Sequence, residues 1–330
     1  MKAFGKGCLE MLVVWAALGF LLHLFFKGQF STDGALYGAA AGGFLMACGW
    51  GLFRNAALAR NQVRLISQAE SGGRPEDGKL YAAVGQIRVH GEPLKTPFRG
   101  EECAIYSYEM FDERTVTVGK GDDRRTHRQK NVYLSGYAMA PCTIGGRGAD
   151  VRLIGFPIPD RFPEQRFSAE ARKGEILSYE RQTQFTDIGK FQLGKMLSEV
   201  SGVFQEGEGV VRKDLRFGDS EYVFGEEGSF AGVECKEQVV PVRAEVCAIG
   251  KYDQTRGGLV QDLSVGGLML IPGTPAEVKK KLGASARGFI FSGLILLLLG
   301  SVGAYGVLNM VEKTGKEEPG KSPNVERVTG

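Results

Sequence analysis

Apolar residues gather at the two ends of the chain, and the middle alternates between apolar and polar positions. Three apolar stretches stand out, at residues 8–26, 35–53 and 289–311. A bilayer core of ~30 Å needs about 20 helical residues, so each stretch predicts a membrane-spanning helix. The third contains an unbroken apolar run from Leu294 to Leu299. The first begins with Lys2 and Lys6, as a signal peptide would, but Phe25-Phe26-Lys27 follows instead of a small-residue cleavage pattern. It therefore reads as a retained span. The predicted organisation is two spans in 1–56, a β-rich soluble domain over 57–285, a third span in 286–311 and a disordered polar tail in 312–330.

Basic residues flank the spans unevenly. Lys2 and Lys6 precede the first, Arg54, Arg60 and Arg64 follow the second, and Lys279, Lys280, Lys281 and Arg287 precede the third. The loop over 27–33 has one lysine. Positive flanks favour the cytoplasmic side, which places the amino terminus and the middle domain there.

The second span carries small residues at four-residue spacing. Gly34, Gly38 and Gly42 form one stripe, and Ala39, Gly43, Ala47 and Gly51 form another. Such stripes let helix backbones approach closely, either within the chain or in a homo-oligomer. Gly300 and Ala304 offer small residues on the third span.

Between the spans, residues 61–68 extend the second helix until Ser71-Gly72-Gly73-Arg74-Pro75 breaks it. Strands are predicted over 81–90, 103–111, 150–155, 210–217, 242–252, 259–263 and 267–271, with 114–118 and 131–140 as arms of a long hairpin. In 103–111, Ala104, Tyr106, Tyr108 and Met110 are expected on one face. A short helix is expected within 189–203. Short strands separated by glycines predict a mainly β fold, an antiparallel sandwich or small barrel, beside the α-helical anchors.

Thr274-Pro275-Ala276-Glu277 has the signature of a capping box with proline at the first helical position. Val278 and Leu282 then lie one turn apart with three lysines between them. This predicts a short amphipathic helix near the membrane surface, with Lys279, Lys280, Lys281 and Arg287 as contacts to anionic lipid.

Charge changes the picture little: 41 basic against 38 acidic residues give a net of +3, no basis for nucleic-acid binding. One local cluster stands out at the hairpin, where Arg124, Arg125, His127, Arg128 and Lys130 lie together. It reads as a solvated tip or as an arm that meets acidic lipid or an acidic partner.

Candidate chemistry is sparse. Cys103, Cys142, Cys235 and Cys247 lie in the middle region without a Cys-x-x-Cys pair, and His90 and His127 are its only histidines. No zinc pattern, nucleophile elbow, phosphate loop or metalloprotease motif is present. Cys103 and Cys247 are expected to pack in the core; the thiols stay reduced in a cytoplasmic setting, whereas a periplasmic setting would favour a disulfide between two of the four. The Gly145-Gly146-Arg147-Gly148 cluster reads as a turn, and Phe156-Pro157-Ile158-Pro159 as an extended connector.

Val84-Gly85-Gln86-Ile87, Glu92-Pro93-Leu94, Pro97, Gly100 and Cys103-Ala104-Ile105-Tyr106-Ser107-Tyr108-Glu109 resemble the opening of a GIDE-type domain, also called the BAM (beside-a-membrane) domain. Glu237-Gln238-Val239-Val240-Pro241-Val242 and Val246-Cys247-Ala248-Ile249-Gly250 are similar to its second strand block. The resemblance covers roughly residues 50 to 310. It implies the non-RING part of MULAN/MAPL-type E3 ubiquitin ligases, in a bacterial, RING-less relative of the inner membrane. In those ligases a RING with eight Cys/His zinc ligands follows the last span. Residues 312–330 hold no Cys and no His, so the expectation is that ligase chemistry does not carry over. The reading is a multi-pass membrane protein with a non-catalytic interaction or membrane-stress-signalling domain and no cofactor. Its expected partners are the lipid bilayer, an unidentified membrane or cytoplasmic protein, and another copy of itself. Ubiquitin-ligase activity is the alternative.

Overall fold

The computed structural model describes residues 2–27, 32–118, 124–146, 150–159, 161–188, 210–225, 228–261 and 267–316. The chain divides into two compact units, Met1–Asn61 with Lys281–Gly330, and Gln62–Lys280. The helix expected within 189–203, the hairpin tip at 119–123 and the turn residues 147–149 lie outside the described residues.

The first unit is helical. It contains α1 (Lys2–Phe26), the first part of α2 (Thr32–Glu70) and most of α5 (Pro275–Lys316). Two helices, α2 and α5, are long and apolar enough to cross a membrane, over Ala35–Glu70 and Pro275–Val307. The apolar part of α1, Glu10–Phe26, falls short of that measure, so two such helices rather than three are found among the described residues. Glu10 of α1 forms an ion pair with Arg54 of α2.

Two helix boundaries differ from expectation. The short amphipathic helix and the third span are one continuous helix, with no proline within residues 276–316 to interrupt it. The same helix runs to Lys316, so the first residues of the expected disordered tail are helical, and 317–330 lie outside the described residues. At its start the Thr274 amide donates to Glu277 Oε2 at 3.1 Å, and the Glu277 amide donates to Thr274 Oγ1 at 3.3 Å. That reciprocal pair satisfies two backbone donors that an open helix end would leave bare.

The second unit is mainly β. Strands β1 (Leu80–Val89), β5 (Cys142–Gly145), β6 (Val151–Leu153), β13 (Gly258–Val260) and β12 (Glu245–Asp253) pair in that order, and β12 returns to β1. The result is a closed five-stranded barrel in which only the β6–β13 pair is parallel. Strand β14 (Met269–Pro272) pairs with β12, and β7 (Ile158–Pro159) with β14. Ile87, Ile144, Val151, Val246, Ala248 and Leu259 belong to the buried cluster formed with these strands. Closure requires β1 to pass very close to β5. A Cβ on Gly85, at φ +149°, would lie 2.0 Å from the Gly145 carbonyl oxygen, so no side chain fits there.

A second sheet has the order β8 (Glu164–Ser168), β11 (Val233–Pro241), β3 (Glu102–Val118), β4 (Arg125–Met139), β10 (Val211–Phe217), β9 (Thr186–Ile188). Strand β2 (Leu94–Lys95) pairs with β3. Helices α3 (Lys173–Gln182) and α4 (Glu221–Phe224) contribute Ile176 and Val223 to its aromatic core around Phe98, Tyr106, Tyr108 and Phe230.

Strand β3 corrects two expectations. Residues 103–111 and 114–118 are parts of one strand. Ala104 does not share a face with Tyr106, Tyr108 and Met110; it packs with the barrel cluster while they pack with the aromatic one. The cause is a register shift at Val240/Pro241, where Val240 pairs with Ile105 and Pro241 with Cys103. Ala104 is the extra residue of that bulge, and a bulge resets the alternation. Strand β11 is not among the strands that alternation predicts; only the resemblance implies a strand block there, from Glu237. Its inward stripe, Val233, Cys235, Glu237 and Val239, contains a glutamate that hides the pattern.

Candidate functional site

The most developed polar cluster in the β-rich unit centres on Asp214 of β10, a residue the sequence pattern did not single out. Its side chain is buried. Oδ1 accepts hydrogen bonds from the Tyr108 hydroxyl at 2.6 Å and the Tyr179 hydroxyl at 2.7 Å. Oδ2 accepts from Arg212 Nε at 2.6 Å. Arg212 also donates to the Tyr179 hydroxyl at 3.0 Å and to Thr183 Oγ1 at 3.2 Å, and its guanidinium lies 5.4 Å from the Tyr179 ring centre. Alternation on β10 puts residues 212 and 214 on one face, and α3 supplies Tyr179 to them. Gly136 of β4 makes room, since a Cβ there would lie 2.6 Å from the Tyr108 ring and 2.8 Å from Asp214 Oδ1.

Burial raises the pKa of both phenols, and the negative charge of Asp214 adds to the shift. Tyr108 and Tyr179 are therefore neutral donors at physiological pH, not bases or nucleophiles. A cleft of about 330 Å³ opens at this cluster, lined by Gln182, Thr183, Gln184, Thr186, Arg212, Lys213 and Asp214 itself. Both oxygens of the Asp214 carboxylate accept from chain donors, so the cluster fixes α3 to the sheet.

A second node lies at the foot of the long hairpin. The buried Asp112 carboxylate accepts from Arg114 Nε and from Asn131 Nδ2, the latter at 2.9 Å. Tyr133 packs there, and burial together with its hydrogen bond to Asp112 pushes its phenol up to about 12. Beyond Asp112, among the described residues, the strands β3 and β4 pair only with each other, because β11 ends opposite Asp112 and β10 ends opposite Leu134. A two-stranded ribbon therefore extends from the sheet.

This ribbon carries the basic cluster. Arg124, His127, Arg128 and Lys130 are exposed, and Arg125 pairs in register with Val118. The strand geometry splits the cluster. His127 pairs with Val116 and shares its face with Gln129 and Asn131, while Arg128 and Lys130 face the other way. Lys130 is engaged by Glu109 at 2.6 Å and lies 4.0 Å above the Phe111 ring. On the His127 side, Arg114, Val116, Gln129, Asn131, Tyr133 and Tyr222 line a second cleft of about 330 Å³.

Glu237 is a third buried acid. Its Oε1 accepts the Phe98 amide at 2.9 Å, and its buried Oε2 has no hydrogen-bond partner. Burial raises its pKa, partly offset by the Phe98 amide and Arg99. The thiols of Cys103, Cys142, Cys235 and Cys247 are all buried and unpaired, and burial pushes each up to about 12. They are protonated and poorly nucleophilic at neutral pH. Among the described residues no group of three His, Cys, Asp or Glu side chains is placed to hold a metal.

The helical flanks are less uniform than their sequence. Lys279 forms an ion pair with Glu70, which engages the charge expected to face lipid. Lys280, Lys281 and Arg287 are exposed. Gly42 faces α5: a Cβ there would meet the Ala304 Cβ at 2.7 Å and the Gly300 oxygen at 2.8 Å. One on Gly43 would lie 2.9 Å from Gly19 of α1. Gly38 and Ala47 are buried, whereas Gly51 faces open space. Gly49 also packs closely, with the Gly293 oxygen 3.0 Å from its hypothetical Cβ. It lies off the two expected stripes.

Comparison with known proteins finds no matching family model, no matching curated protein and no matching solved structure.

Proposed function

We propose that this chain is a membrane-tethered, non-catalytic interaction module with a GIDE/BAM-like β domain, set in a bacterial inner membrane with that domain on the cytoplasmic side. The single observation that supports it best is the projecting ribbon of residues 113–118 and 125–131, which carries exposed cations outside both hydrophobic cores. A two-stranded ribbon is marginal as a structural element, so its length is better explained by contact with a partner. The buried titratable groups support the same reading. Asp112 and Asp214 are engaged by chain donors, and the thiols are held protonated. The apolar helices that bracket the domain in sequence supply the tether, and Lys280, Lys281 and Arg287 its contacts with anionic headgroups.

The test is affinity capture from native membranes with the full chain, in parallel with an Arg124→Glu, Arg128→Glu variant. A reproducible protein partner lost in the variant is the expected result. No reproducible partner with the wild-type chain sinks the proposal. Transfer of a ubiquitin-like modifier to lysines by the purified chain and conjugating components would instead favour the ligase reading.

A further inference from the structure

On one side β4 hydrogen-bonds β3 throughout its length; on the other it pairs with β10 only from Leu134 to Met139. From Arg125 to Val132 that second edge pairs with no strand among the described residues, although the turn Gly218–Ser220 that follows β10 lies against β4 at the Val132 end. The backbone there presents a row of unpaired amide and carbonyl groups, about 27 Å long for eight residues of strand. Charge on the two strands is segregated. From Arg124 to Met139 the chain contains no acidic residue, whereas β3 carries Glu102, Glu109, Asp112 and Glu113 with one cation, Arg114. Lys130 and Arg114 are held by Glu109 and Asp112, which leaves Arg128 as the exposed cation midway along the open edge.

We infer that this open edge of β4 is a docking site for an acidic, extended protein segment, which adds to the sheet as a strand in line with β10. The inference rests on the interaction-module reading and names the partner's chemistry. Side chains of an added strand share faces with those of its neighbour. Carboxylates at alternate positions would lie beside Thr126, Arg128 and Lys130, with the intervening side chains on the His127 and Gln129 face, toward the cleft that Tyr222 borders. Backbone pairing supplies affinity and the alternating carboxylates supply selectivity. A flat lipid surface fits less well, because Arg128 and His127 point to opposite faces and a bilayer offers no strand to pair with the edge.

The experiment uses the full chain in phosphatidylcholine nanodiscs. The probes are a peptide of about ten residues with Glu alternating with Thr or Val, its Lys counterpart, and a copy N-methylated on alternate amides. The Glu peptide is expected to bind, the Lys peptide not to bind, and N-methylation to abolish binding. Arg128→Glu should weaken binding about fivefold, the upper worth of one exposed ion pair, and Arg181→Glu on α3 should leave it unchanged. Equal binding to wild type and Arg128→Glu, or undiminished binding of the N-methylated peptide, overturns the inference. So does capture of phosphatidylserine vesicles through Arg128 without peptide binding, which would assign the arm to lipid. Binding of neither leaves the cations as guards against edge pairing and also overturns it. If the peptides fail while a native partner is still captured by Arg128→Glu, the docking site falls and the interaction-module reading stands.

Discussion

The Tyr108 hydroxyl donates to Asp214 Oδ1 at 2.6 Å, across 106 positions of chain. Tyr179 donates to the same oxygen, so one carboxylate unites β3, β10 and α3. A buried charge satisfied by several donors is expensive to break, because each released donor is left desolvated.

Asp214→Ala should therefore destabilise the β-rich unit by about 3 kcal/mol. Gly136→Ala should be harmful through the same contacts, by about 2 kcal/mol, since the new methyl group meets Tyr108 and Asp214 at once. Thermal unfolding of both variants in detergent measures this. A melting temperature unchanged in both would show that the cluster is dispensable.

Glu237 has a folded-state pKa raised above its ordinary value, with burial as the main cause. Its stabilising contribution is thus full below the unfolded carboxylate pKa and is lost as pH rises through the folded value. Glu237→Gln should flatten that decline, so the variant gains on wild type as the buffer is moved from acid toward neutral. Parallel melting curves across that range would show that ionisation of Glu237 is not coupled to folding.

The four thiols of the β-rich unit are buried with pKa values pushed up to about 12. Labelling with a maleimide at neutral pH should be negligible in the folded chain and complete in denaturant. Rapid modification of any of them in the native protein would reveal an opening of the fold that the packing does not suggest.

Gly42→Leu should disrupt the helical unit, because Ala304 and the Gly300 carbonyl occupy the space its side chain needs. Gly51→Leu should be tolerated, since nothing lies within 4 Å of a Cβ there. Size measured in detergent separates the two roles. If Gly51→Leu lowers the assembly state while Gly42→Leu lowers stability, the outer glycine serves contact between copies. If Gly42→Leu is as stable as wild type, the close approach of α2 and α5 is not needed.

The apolar helices and the places where α2 stops and α5 begins are readable from the chain alone, because long apolar runs, breakers and caps are local signals. Ser71-Gly72-Gly73 ends α2, and the Thr274–Glu277 box starts α5. Most strands were legible for the same reason, since alternation is read over a few residues. Other features depend on contacts between distant segments. Strand β11 escaped because Glu237 stands in its inward stripe, a polar residue whose burial depends on the distant Phe98 amide. The place of Ala104 turned on a bulge set by pairing with β11. The Asp214 cluster draws on residues from 108 to 214, and no local spacing announces it. Even the basic arm, plain as composition, acquired its two faces and open edge only from strand register. Periodicity records which side of its own element a residue occupies. Which partner that side meets is settled by contacts between segments far apart in the chain, and those contacts determine which charges remain available for binding.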